Sequence, residues 1–91
     1  MATVIVTLRI MPEGPDVDLE SLRQRATKAI ADFGGEVGKF EIEPIAFGLK
    51  ALKLFFVMPE EKGSTDSLEQ TIAGMEGVNS VSVDDVRRAV G

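Results

Sequence analysis

Runs of alternating apolar residues, two apolar stripes at helical spacing and one central run that is apolar at both parities predict an α+β fold. Their order is strand, helix, strand, strand, helix, strand. That is the ferredoxin-like βαββαβ arrangement, a four-stranded antiparallel sheet whose right-handed crossovers put both helices on one face. The expected strand order is 4-1-3-2, with the first and third strands central.

The first strand is Thr3 to Met11, with Val4, Val6, Leu8 and Ile10 on one parity and Thr3, Thr7 and Arg9 on the other. Pro12-Glu13-Gly14-Pro15 ends it, because proline lacks a ladder donor. Asp18 is the expected N-cap of the first helix, and Val17 before it is placed to pack on Leu22 as a hydrophobic staple. Leu19, Leu22, Ala26, Ala29, Ile30 and Phe33 then form one stripe, which Gly34-Gly35 terminates. The opposite face, with Glu20, Arg23, Gln24 and Lys28, is expected to be solvated. Val37 to Ile45 reads as the second strand, with Phe40 and Ile42 inward and Pro44 marking it as an edge.

The chain is organised around the stretch from Pro44 to Leu54, which turns at Phe47-Gly48 and runs on as the third strand to Pro59. Leu52, Leu54, Phe56 and Met58 share one parity; Leu49, Ala51, Lys53, Phe55 and Val57 share the other. A strand apolar on both faces is central in its sheet or touches a partner. Glu60 to Ser64 follows as a polar loop, and Thr65 or Asp66 caps a second helix with Glu69 as capping partner. Leu68, Ile72 and Met75 lie on its apolar face, and Gly77 is its expected stop. The last strand begins at Val78 and includes Val81 and Val83; a continued strand, a helical turn and a free tail all fit the residues after it.

At 91 residues the chain is read as a single domain, 1-91, large enough to bury a modest core without metals or disulfides. It has no cysteine and no histidine, which removes thiol chemistry and the side chain that titrates near neutrality, so an enzyme is disfavoured. Ten Lys and Arg against fifteen Asp and Glu give a formal charge of −5, which opposes direct binding to nucleic acid or an anionic membrane. Without a basic leader or a run of membrane-spanning length, a cytoplasmic protein is expected.

Several features have a functional reading. If the helices cover the Leu52 and Val4 parity, Ile5, Leu49, Ala51, Phe55 and Val57 are left on an open sheet face for a partner or for self-association. Phe47, beside Gly48 at a hairpin tip, either anchors in a partner's pocket or folds back on the sheet edge. Arg87-Arg88 either meets an acidic or phosphate-bearing surface or is merely solvated. The acidic pairs Asp16/Asp18, Glu60-Glu61 and Asp84-Asp85 lack the spacing of a calcium loop, and no metal or cofactor is expected. Gly34-Gly35 follows a helix, whereas the nucleotide-binding glycine motif precedes one.

Pro44-Ile45-Ala46-Phe47-Gly48-Leu49-Lys50-Ala51-Leu52 resembles the pattern P-[VI]-[AG]-[FY]-G-[IL]-K-x-L of the guanine-nucleotide exchange domain of translation elongation factor 1-beta. Glu60-Glu61-Lys62 with Thr65-Asp66, Leu68-Glu69 and Ile72 is similar to that family's acidic segment entering its second helix, with no gap between the blocks. The resemblance is strong from Phe40 to Ile72, weak in the first helix, and fits the short archaeal form in which the exchange domain is the whole protein. It implies a factor that binds the GTPase elongation factor 1-alpha and speeds release of GDP without covalent chemistry. It also implies that Phe47, with Gly48 and Lys50 of the same motif, meets the partner's second domain. A cation near the C-terminus would then enter the region of the partner's magnesium and switch loops.

The family's lysine there aligns with Arg88, and a one-residue gap after the second helix makes Arg87 nearly as good. Arginine keeps the charge but changes its geometry. The aromatic that eukaryotic members carry before the second strand is also missing, with Gly38-Lys39 in its place. A small ferredoxin-like regulatory or ligand-binding module that self-associates through its open sheet face is the alternative.

Overall fold

The computed structural model describes residues 2–89. Strand β1 (Thr3–Pro12) leads into helix α1 (Leu19–Phe33), followed by β2 (Glu36–Pro44), β3 (Lys50–Pro59), a 3-10 turn (Glu60–Lys62), helix α2 (Asp66–Ala73) and β4 (Val78–Ala89). The sheet order is β2-β3-β1-β4, the expected order read from the other edge, and every pairing is antiparallel.

Register explains where the core sits. Val6 pairs with Phe56, Leu8 with Leu54 and Ile10 with Leu52, so the apolar parities of the two central strands share one face. Leu22, Ala26 and Ile30 of α1 and Leu68 and Ile72 of α2 close over them, and all of these side chains belong to one buried cluster. Burying an aliphatic or aromatic side chain of this size contributes roughly 1.5–3 kcal/mol. The helices do not extend over all of edge strand β2: Phe40 and Ile42 face the helix side, opposite Leu54 and Leu52, yet stay 43% and 47% exposed. Arg23 covers part of that gap, with its guanidinium 4.5 Å from the Phe40 ring centre. The same guanidinium is hydrogen-bonded to Glu20 and holds that carboxyl below its usual range.

Asp18 caps α1 as its position predicts, accepting from the backbone N–H groups of Glu20 (3.0 Å) and Ser21 (3.2 Å). Asp18→Ala is therefore expected to lower unfolding stability by about 1 kcal/mol, measured by denaturant titration. Helix α2 departs from the expected capping. The Thr65 hydroxyl donates to Glu69 at 2.8 Å, and the Ser64 hydroxyl accepts the Asp66 N–H at 3.0 Å. The helix stops at Gly74, ahead of the expected Gly77. Gly77 instead takes φ +90° in the turn into β4, where an added Cβ would come within 3.2 Å of Val17.

Beyond Val83 the chain continues as a strand to Ala89. Leu8 pairs with Val83 and Thr7 with Asp85, so Asp84 is an extra residue, a β-bulge. The bulge returns Val86 to the helix side opposite Val6 and keeps the Asp85 carboxylate off that side. Among the described residues no helix is long and apolar enough to cross a membrane.

Candidate functional site

The hairpin between β2 and β3 closes on Ala46-Phe47-Gly48-Leu49. Leu49 N–H donates to the Ala46 carbonyl at 2.9 Å, and Ile45 N–H to the Leu49 carbonyl at 2.9 Å. Phe47 has φ +53° and Gly48 φ +80°, so both central residues are left-handed, as in a type I′ turn. That twist matches the twist of the flanking strands, which is why a two-residue connection adopts it. Glycine accepts the conformation freely, but a phenylalanine there is strained. Phe47 is the non-glycine residue with positive φ among the described residues, and its side chain is 98% exposed. It does not fold back onto the sheet edge.

Lys50 lies opposite Pro44 on the helix side of the sheet, exposed at its rim. With Gly48, Pro12, Pro15 and the start of α1 at Asp18 and Leu19 it borders an open cavity of about 330 Å³. Phe47, Gly48 and Lys50 are thus gathered at one end of the sheet.

Arg87 and Arg88 are at the other end, on opposite faces. Arg87 pairs opposite Ile5 on the open face and donates from Nε to Asp85 at 2.7 Å. Arg88 pairs opposite Val4 on the helix side and makes an ion pair with Glu60 of the 3-10 turn. Val90 and Gly91 lie outside the described residues. Between the two ends runs β3, whose ten residues at about 3.3 Å each span roughly 30 Å along a domain 42 Å in its longest extent.

The open face is more polar than strand parity suggests. Ala51 is fully buried without any partner, and Lys39 lies 4.5 Å from the centre of the Phe55 ring. Arg9 reaches Glu43 at 2.6 Å and Asp84 at 3.6 Å, and Lys53 reaches Asp84 at 3.8 Å. Ile5 and Val57 remain exposed on this face, at 38% and 36%. No cluster of carboxylates suited to holding a metal ion occurs among the described residues.

A family profile described as the EF-1 guanine nucleotide exchange domain matches residues 5–89. The chain belongs to this exchange-domain family. It is 48% identical to the elongation factor 1-beta of Staphylothermus marinus, over 97% of this chain and 98% of that protein. It is 44% identical to the elongation factor 1-beta of Methanothermobacter thermautotrophicus, again over 97% and 98%. Among solved structures it resembles the C-terminal domain of the MgtC protein from Mycobacterium tuberculosis, with a TM-score of 0.65 and 11% identity over 94% of this chain and 87% of that one. This last likeness is one of fold alone.

In this exchange-domain chain the expected site residues therefore form two groups. Phe47, Gly48 and Lys50 stand together; Arg87 and Arg88 are remote from them and on opposite faces by strand alternation, the Asp84 bulge setting which of the two takes the helix side. Sequence reasoning missed the bulge and the Glu60 contact. The spacing Val81, Val83, Val86, where strict alternation would place an apolar residue at 85, is the signal that could have shown the first. Nothing in the sequence signals the second, since Glu60 and Arg88 are 28 residues apart.

Proposed function

We propose that the protein is a guanine-nucleotide exchange factor of translation elongation, which binds the GTPase elongation factor 1-alpha and promotes release of GDP so that GTP can rebind. It would act by binding alone, with Phe47 anchoring one end on the GTPase and Arg88 supplying a cation at the other. Family membership supports the role in elongation. The observation that carries the assignment of Phe47 is its strained, fully presented conformation: an aromatic with φ +53° and 98% exposure contributes nothing to its own core.

Exchange by binding is a matter of linkage. A protein that binds the nucleotide-free GTPase more tightly than the GDP form weakens GDP by the same factor. A cation brought to the GTPase's magnesium site would compete with the metal, and loss of the metal removes much of the charge that holds the diphosphate. Each arginine is held by a carboxylate, Arg87 by Asp85 and Arg88 by Glu60, and Arg88 is preferred because it takes the position of the family's lysine in the alignment that the resemblance implies.

The direct test is release of fluorescent GDP from purified elongation factor 1-alpha in excess unlabelled nucleotide. Addition of this protein at substoichiometric concentration is expected to accelerate release. An unchanged rate would sink the proposal.

A further inference from the structure

We infer that Glu60 is a positioning residue for Arg88, holding its guanidinium across the end of the sheet in the orientation in which it meets the GTPase. The inference rests on the exchange function proposed above and adds to it a residue outside the hairpin and the C-terminal arginines.

The contact joins separate elements. Glu60 opens the 3-10 turn after β3, and Arg88 is on edge strand β4, with β1 between them. Arg88 must therefore reach over β1, about two strand spacings or roughly 10 Å, to the ion pair with Glu60. Left alone, a long side chain on an edge strand would sample many rotamers, and fixing it on binding carries an entropic cost. Both partners hang from the start of β1. Glu60 N–H donates to the Ala2 carbonyl at 3.0 Å, and Arg88 is paired opposite Val4. A guanidinium has five N–H donors, so a carboxylate can hold it and leave others free for a partner.

The Asp84 bulge decides which arginine is held. Arg9 and Lys53 approach the Asp84 carboxylate at 3.6 and 3.8 Å. Removing the bulge by a one-residue slip of β4 would turn Arg87 to the Glu60 side and Arg88 to the open face. By contrast, the Arg87 pair with Asp85 lies within one strand and orients nothing across the sheet.

With Arg88 67% and Glu60 42% exposed, the hold is weak, in the range of exposed ion pairs, so the expected effect is about two- to five-fold. The experiment compares wild type, Glu60→Ala, Glu60→Asp, Arg88→Ala and the double variant Glu60→Ala/Arg88→Ala. GDP release from the GTPase is measured over a full titration, with the Arg88 Nε–H resonance of the free protein followed by NMR. Glu60→Ala is expected to shift that resonance. It should also lower the maximal release rate by about two- to five-fold, with a smaller change in the half-saturating concentration. Glu60→Asp should recover most of the rate, and Glu60→Ala should have no further effect once Arg88 is gone.

An unshifted resonance, an unchanged or raised maximal rate, or an equal loss in the Arg88→Ala background overturns the inference. In each of these cases the functional reading stands as long as the wild type accelerates release. Absence of any acceleration by the wild type overturns both, while the resonance still reports whether the ion pair forms.

Discussion

Replacing Phe47 with asparagine is expected to leave the domain at least as stable as the wild type while weakening its hold on the GTPase by roughly 30-fold or more, the loss of a hot-spot aromatic at about 2 kcal/mol. The two effects have opposite signs for one structural reason. Phe47 is held at φ +53° by the turn and is 98% exposed, so its ring contributes no packing that the substitution could remove. A left-handed residue with a Cβ costs roughly 1–2 kcal/mol, and asparagine tolerates that region better. Asparagine followed by glycine is the preferred pair for this turn, so the hairpin should keep its register. Denaturant titration gives the stability change, and titration of the fluorescently labelled GTPase gives the affinity. Unchanged affinity would remove Phe47 from the interface even if the protein proves to be an exchange factor.

In the proposed function, the distance between the two groups of site residues would give the Phe47 anchor its purpose. Phe47 and Arg88 are held apart by the full length of β3 and its register with β1 and β4, in a sheet whose central strands are buried. If both ends engage the GTPase as proposed, a rigid span of roughly 30 Å would favour whichever arrangement of the GTPase sets its two receiving surfaces that far apart. It would thereby disfavour the nucleotide state that holds them otherwise, coupling binding at one end to the other.

How much of this was legible in the sequence depended on whether the deciding interaction was local. Val4 to Ile10 alternates because one face of that strand is buried, and Leu52 to Met58 is apolar at both parities, which marks it as central; these local patterns predict the central pair. The Asp18 cap was legible because it acts within one turn. Tertiary coverage was harder to read. Phe40 and Ile42 face the helix side as expected, but α1 does not shelter them, and no periodicity reports how far a helix overhangs an edge strand. Ala51 and Phe55 looked like open apolar surface, yet charged side chains from all four strands lie on that face. Motif resemblance located Phe47, but its strained φ follows from the turn's handedness, which the residues at the tip do not encode: asparagine would be the local choice. Which of Arg87 and Arg88 takes the helix side required the register of β4 against β1, a long-range property, whereas their lying on opposite faces follows from strand alternation alone.

Reversing the charge at the far end is expected to have the other large effect: Arg88→Glu should return GDP release to nearly the spontaneous rate. Two unit charges about 4 Å apart interact by roughly 4 kcal/mol at the effective dielectric of a protein surface, so replacing a cation by an anion near the GTPase's magnesium turns competition with the metal into support for it. The same substitution places two carboxylates where Glu60 now meets a guanidinium, which drives the side chain away from the sheet end. Because Phe47 remains in place at the opposite end, the protein should still bind, so the maximal rate falls much further than the half-saturating concentration rises. Arg87→Glu is the matched control. It changes the net charge identically but acts on the open face beside Asp85, and it should alter the maximal rate by less than about two-fold, as an exposed charge away from the interface does. Arg88→Lys separates charge from shape. Lysine keeps the cation and loses the planar fork, so substantial retention of exchange means that competition with the metal needs only the charge. Equal losses from Arg87→Glu and Arg88→Glu would show that net charge steers the encounter and that neither arginine enters the GTPase.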